Sequence, residues 1–212
     1  MIEVLETCRD VVRESQHVSI DEEALTRFCR HLIDQDVGIP PWDWRHHFLG
    51  GEEETVAYLL VLDTLNFCFW PAAGERRWEI RYGGERLSGY VGLAACLKKA
   101  LEAGIPITRA EYLARLSMDE FRQVLGGEGE LQLMGKRLDA LHELGEVLCR
   151  DHQGRASLLV ASGENSAVRL ARLLAERLSS FRDVAEHEGR KVYFYKRAQI
   201  FAADLHGAFE GR

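Results

Sequence analysis

The stretch VLDTLNFCFW, Val61 to Trp70, places Asp63 and Asn66 inside a run of leucine, phenylalanine and tryptophan. A carboxylate among apolar neighbours is costly to desolvate, so it needs a partner or a task. Phe69 and Trp70 follow directly. Aromatic faces beside a few fixed polar groups suit a flat ligand with a hydrogen-bonding edge. The same residues also suit a buried element end, with Asp63 capping and Asn66 bonded to local backbone. Two further sets could do chemistry. Lys196 and Arg197 open an apolar segment, where a helix N-terminus and two cations would hold a phosphate; a solvated charge pair is the alternative. Asp204 lies one turn past Ile200 in apolar company, so it either pairs with a cation such as Arg197 or serves a site.

Other arrangements are weaker. His46 and His47 follow Trp42 and Trp44. Adjacent histidines rarely converge on one metal, which leaves a single ligand-contacting histidine or an exposed pair. His142-Glu143 lacks the second histidine of a zincin, since Glu146 stands there. Cys149 and His152 have no companions, so no metal is expected. The phosphate-loop, dinucleotide and nucleophile-elbow patterns are absent, and LGGEGE is too acidic to cradle phosphate.

The elements that position these groups read as helices. The 212 residues are 46% hydrophobic and 29% charged, an ordinary globular balance. Capping boxes are expected at Ser19–Glu22, Thr108–Glu111 and Ser117–Glu120. After the first, Leu25, Phe28 and Leu32 share one helical face. The paired prolines at 40–41 begin a loop, and the acids of GEEET begin the helix that runs into the opening stretch. Trp78, Ile80 and Tyr82 alternate before Gly83-Gly84, which predicts a hairpin. A helix follows from Tyr90, with Gly104 ending it and Pro106 just beyond. Later helices are expected near Leu131–Cys149, Ser166–Leu178 and Arg197–Phe209. GRKVYFY reads as a short strand or an extended lead-in. The expectation is one mostly α-helical domain over 1–212 with a small β-hairpin.

The formal net charge of −7 argues against a protein that lives on polynucleotide contacts. No apolar run is long enough to span a membrane. The N-terminus lacks a secretory segment, and the five cysteines form no CxxC pair, so a cytoplasmic protein with reduced thiols is expected.

Several strings, in order, resemble one family: DTLNFCFW (63–70), SGY (88–90), GIPIT (104–108), ENSA (164–167), SFRDV (180–184) and FYKRAQI (194–200) with Ala203-Asp204. They look like the queuosine salvage proteins. That resemblance implies a fold similar to helical DNA glycosylases. It implies hydrolysis of queuosine 5′-monophosphate to queuine and ribose 5-phosphate, with no metal or cofactor. It also implies a small-molecule substrate rather than intact nucleic acid; a monomer is expected. By the same resemblance, His47, Asp63, Asn66, Phe69 and Trp70 would contact or back the base. Lys196 and Arg197 would hold the phosphate, and Asp204 matches a family acid and is the catalytic candidate. Family members continue well past this motif and carry a Phe-Ala-Asp-Tyr string that these residues lack. The 1–212 set is therefore expected to be partial. Two rivals remain: a helical glycosylase acting on a flipped base, and a non-catalytic binding module.

Overall fold

The structure is a computed structural model that describes residues 2–36, 38, 41–129 and 131–209. Pro40, half of the expected proline pair, lies outside the described residues, as does Glu130 at the end of LGGEGE. The helices are α1 (Ile2–Glu14), α2 (Glu22–Asp34), α3 (Glu52–Leu65), α4 (Gly89–Glu102), α5 (Ala110–Leu113), α6 (Met118–Leu125), α7 (Met134–Asp151), α8 (Ala156–Ala161), α9 (Ala167–Arg177) and α10 (Lys196–Ala208). Strands β1 (Glu79–Tyr82) and β2 (Glu85–Ser88) form one antiparallel hairpin, and β3 (Val184–His187) and β4 (Arg190–Tyr193) form another. The mostly α-helical class expected from the sequence is therefore observed. Its contacts divide the chain into two compact units, Met1–Trp42 with Val184–Phe194, and Asp43–Asp183 with Tyr195–Arg212.

In the first unit, α1 packs on β4. The Tyr193 amide donates to Thr7 Oγ1 at 3.2 Å, and Arg190 pairs with Glu14. The second hairpin was visible in the sequence only as one possible strand. Its partner, Val-Ala-Glu-His, has no strict alternation, and the pairing depends on a turn at Glu188-Gly189, where both residues have positive φ. Helix α2 starts two residues later than Ser19–Glu22 implies. Asp21 is the cap, accepting from the Ala24 amide at 2.8 Å. Leu25, Phe28 and Leu32 do share a face, but no residue of α2 is buried.

The second unit is built around α3. This helix is apolar on every side, and each residue from Thr55 to Leu65 is buried. Such a helix belongs at the centre of a bundle. It packs against α7, α8, α10 and α4. Its start fixes a neighbour: Glu53 accepts from the Ala156 and Ser157 amides, satisfying the open N-terminus of α8. Glu143 of α7 does the same for the Ser179 and Ser180 amides. Helices α5 and α7 approach at Gly145, where a Cβ would stand 2.5 Å from the Ala114 nitrogen. The Ser117–Glu120 capping box forms as expected. The one at Thr108 does not, because Arg109 occupies the cap of α5 and makes no side-chain cap bond. The hairpin turn at Gly83-Gly84 has φ of 55° and 82°, as a type I′ turn requires.

Candidate functional site

The greasy environment of Asp63 follows from its place in the last turn of α3, where it is fully buried. Asn66 is the C-cap, and its side-chain amide donates to Asp63 Oδ1 at 3.3 Å. Asp63 Oδ2 has no hydrogen-bond partner among the described residues. The chain then leaves the helix as Phe67, Cys68 and Phe69, and its carbonyls are gathered by Arg137 of α7. That guanidinium donates to the carbonyls of Gln132 at 2.9 Å and Cys68 at 3.0 Å, and also to those of Leu65 and Phe67. It lies over the Phe67 ring at 4.3 Å and the Phe69 ring at 5.4 Å. Burial pushes its pKa down to about 10.

Helix α10 brings a second carboxyl to the first. Arg197, Phe201, Asp204 and Ala208 recur at helical spacing, so they share the face that packs on α3 and α9. Arg197 donates to the Thr64 carbonyl at 3.2 Å and pairs with Asp183 at 3.4 Å, with the Phe67 ring 4.8 Å from its guanidinium. Asp204 accepts from the Tyr90 hydroxyl at 3.1 Å. Tyr90 stands in the first turn of α4, just after Gly89, whose φ of 61° turns the hairpin into the helix. The same hydroxyl lies 3.0 Å from His47 Nε2. The His47 ring is held in turn by the Asp43 carbonyl, 2.7 Å from Nδ1. Lys98 secures this loop by donating to the Trp44 and Arg45 carbonyls at 2.9 and 3.1 Å.

The electrostatics follow from burial. Desolvation, then the charge of Asp204, pushes Asp63 well above the carboxylate range; Asn66 and Arg197 only partly offset this. Desolvation pushes Asp204 up to about 6 against the Tyr90 hydrogen bond. Desolvation also pulls His47 below the usual histidine value. Two interacting carboxyls in one dry site favour a form in which one is protonated and the other ionised. That combination provides an acid and a base, or an acid and a charge that stabilises a cation.

The structure brings together Asp63, Asn66, Asp204 and His47, with Arg197 alongside. Phe69 is half-buried beside Arg137, whereas Trp70 is 76% exposed and stacks against Arg77 at 5.2 Å. Lys196 is exposed at the start of α10, where Tyr195 takes a left-handed φ of 48°. The sequence reading offered Arg197 as a partner for Asp204. Arg197 instead pairs with Asp183, and a tyrosine holds Asp204. Tyr90, Asp183 and Arg137 were not singled out from sequence. Tyr90 and Asp183 do lie in the SGY and SFRDV strings; Arg137 has no local signal, because its role depends on a loop 70 residues away.

Glu14, His187 and Glu188 in the first unit offer ligand atoms within 4.8 Å of one another, but the two acids are exposed and Glu14 already pairs with Arg190. A cavity of about 360 Å³ opens between β1, the end of α4 and the loop after α6. None of Asp63, Tyr90 or Asp204 lines it. Among the described residues, no helix is long and apolar enough to cross a membrane.

Fold and site together define a mostly α-helical protein whose site holds two carboxyls, Asp63 buried and Asp204 half-buried. Residues 46–212 match the family described as queuosine salvage protein. A queuosine 5′-phosphate N-glycosylase/hydrolase of Sphaerobacter thermophilus is 44% identical over 208 residues, 98% of this chain and 64% of the relative. Proteins of the same name from Bos taurus and Mus musculus are 34% and 33% identical, each covering 98% of this chain and 63% of their own length. The chain belongs to the queuosine salvage protein family. It spans just under two thirds of the length of these three relatives.

Proposed function

We propose that the complete protein hydrolyses the N-glycosidic bond of queuosine 5′-monophosphate, releasing queuine and ribose 5-phosphate. The observation that carries this reading is a fully buried Asp63 carboxyl in the same site as a half-buried Asp204 held by the Tyr90 hydroxyl, both with pKa pushed up by desolvation. Breaking this bond builds oxocarbenium character on the ribose and negative charge on the departing base. A carboxylate close to C1′ opposes the first, and a proton donor opposes the second. The names of the relatives support the same chemistry. In this reading Asp204 is the catalytic carboxylate, and Asp63, Asn66 and His47 bind the polar edge of the base. Phe69 and Trp70 supply rings for its face. Lys196 and Arg197 take the 5′-phosphate, Lys196 as the exposed cation and Arg197 from its place against Asp183. We also assign the protein to the cytoplasm, as a monomer acting on a free nucleotide.

The test compares queuine release by the complete protein from queuosine 5′-monophosphate and from the nucleoside, with wild type and Asp204→Asn. Faster release from the phosphate, and a loss of orders of magnitude in the variant, are expected. Equal rates on both substrates would remove the phosphate subsite, and an active Asp204→Asn would remove its catalytic role.

A further inference from the structure

We propose that Tyr90 is a proton-relay residue, joining Asp204 to His47 so that the carboxyl can ionise without losing its proton to solvent. His47 Nδ1 lies 2.7 Å from the Asp43 carbonyl oxygen, which can only accept, so Nδ1 carries a hydrogen in either charge state of the ring. In the neutral ring Nε2 is therefore an acceptor, and it faces the Tyr90 hydroxyl at 3.0 Å. On its other side the hydroxyl meets Asp204 Oδ2 at 3.1 Å. A neutral imidazole and a carboxylate are both acceptors, and the hydroxyl has one hydrogen to share between them. Both contacts are satisfied only when one more proton sits on the chain.

That proton has two homes. On Asp204, the carboxylic acid donates to the Tyr90 oxygen and the Tyr90 hydroxyl donates to Nε2. On His47, Nε2–H donates to the Tyr90 oxygen and the hydroxyl donates to Asp204. The arrangements hold the same atoms and the same protons. Their exchange breaks the Asp204 O–H bond and the Tyr90 O–H bond. It forms a new Tyr90 O–H bond and an Nε2–H bond, leaving a carboxylate and an imidazolium with no other reactant.

Every neighbouring element contributes a charge or a titratable group to this balance. The loop contributes Asp43 and His46; α3 contributes Asp63 and Tyr58; α4 contributes Lys98; α10 contributes Arg197, which acts on Asp63. Burial disfavours both the imidazolium and the carboxylate, so of the two singly protonated arrangements the neutral one is favoured. Positive charge developing beside Asp204 favours the ionised one. This use of the relay rests on the glycosidase reading; the relay itself rests on the three distances.

The test is NMR of the 212-residue chain, with labels on the histidine nitrogens and aspartate carboxyl carbons, across the range where both groups titrate. Asp204 and His47 Nε2 are expected to inflect at one shared midpoint, because tightly coupled groups titrate as a unit. In Tyr90→Phe the two midpoints should separate by more than about one pH unit. Asp204→Asn keeps the side-chain shape and guards against a misfolded Tyr90 variant. In it the His47 midpoint should fall, since the imidazolium loses the carboxylate it reaches through Tyr90. Unrelated midpoints in the wild type would overturn the relay. So would a shared midpoint that survives Tyr90→Phe, or a His47 midpoint unmoved by Asp204→Asn. No substrate is present in these titrations. A shared midpoint here, together with no queuine release by the complete protein, would therefore defeat the proposed reaction and leave the relay standing.

Discussion

Arg137→Met should destabilise the protein by about 2–4 kcal/mol, because it leaves buried carbonyls without the charged donor they accept from. The guanidinium is fully buried and its donors meet the carbonyls of Leu65, Phe67, Cys68 and Gln132. An orphaned buried carbonyl costs about 1–3 kcal/mol. The Leu65 carbonyl is deep in the core and would carry that cost in full, while the other three are partly accessible and water can recover some of theirs. Against the sum stands the desolvation penalty that methionine does not incur, several kcal/mol for an ion in the interior. For a chain of this size each kcal/mol shifts Tm by about 2–4 °C, so a fall of about 10 °C is expected in a thermal melt followed by circular dichroism. Arg137→Lys should fall between the two, because one ammonium cannot span carbonyls on two sides of the loop. A methionine variant melting within about 3 °C of wild type would show that the loop after α3 does not depend on this residue.

Asp63→Asn should stabilise the protein at alkaline pH. A carboxyl whose folded pKa lies above its ordinary 3.8 binds its proton more tightly in the native state, so native stability is lost as pH rises from that value through the folded one. Asparagine removes the loss, and urea titrations should show its advantage growing from acid to alkaline pH; an advantage constant with pH would sink the idea. Gly145→Ala places a Cβ 2.5 Å from the Ala114 nitrogen and 2.6 Å from the Ala110 oxygen, forcing α5 and α7 apart at a cost of about 1–3 kcal/mol. Wild-type stability in chemical denaturation would mean that the helices part freely. Trp70→Ala removes a ring that is 76% exposed, so Tm should barely move, while queuine affinity in the complete protein drops by about 1–3 kcal/mol if that ring stacks on the base. A large Tm loss with unchanged affinity would assign Trp70 to the fold instead.

Local chemistry made much of this protein legible before any coordinates. The all-round apolar pattern of α3, the Gly83-Gly84 turn, the Ser117 cap and the helical start at Lys196 depend on residues within a few positions of one another. Asp63 and Asp204 stood out because a carboxylate in apolar company is conspicuous at any distance from its partner. The tertiary structure decided which groups meet. Asp183 rather than Asp204 neutralises Arg197, because α10 turns Asp204 toward Tyr90 on α4. Arg137 holds the chain where it leaves α3, and Glu53 and Glu143 cap elements far away in sequence. Periodicity says which face of a helix is buried, but not what the neighbouring helix presents to it. Buried polar partners are chosen by geometry between elements, since every desolvated donor and acceptor must be matched where the packing leaves it.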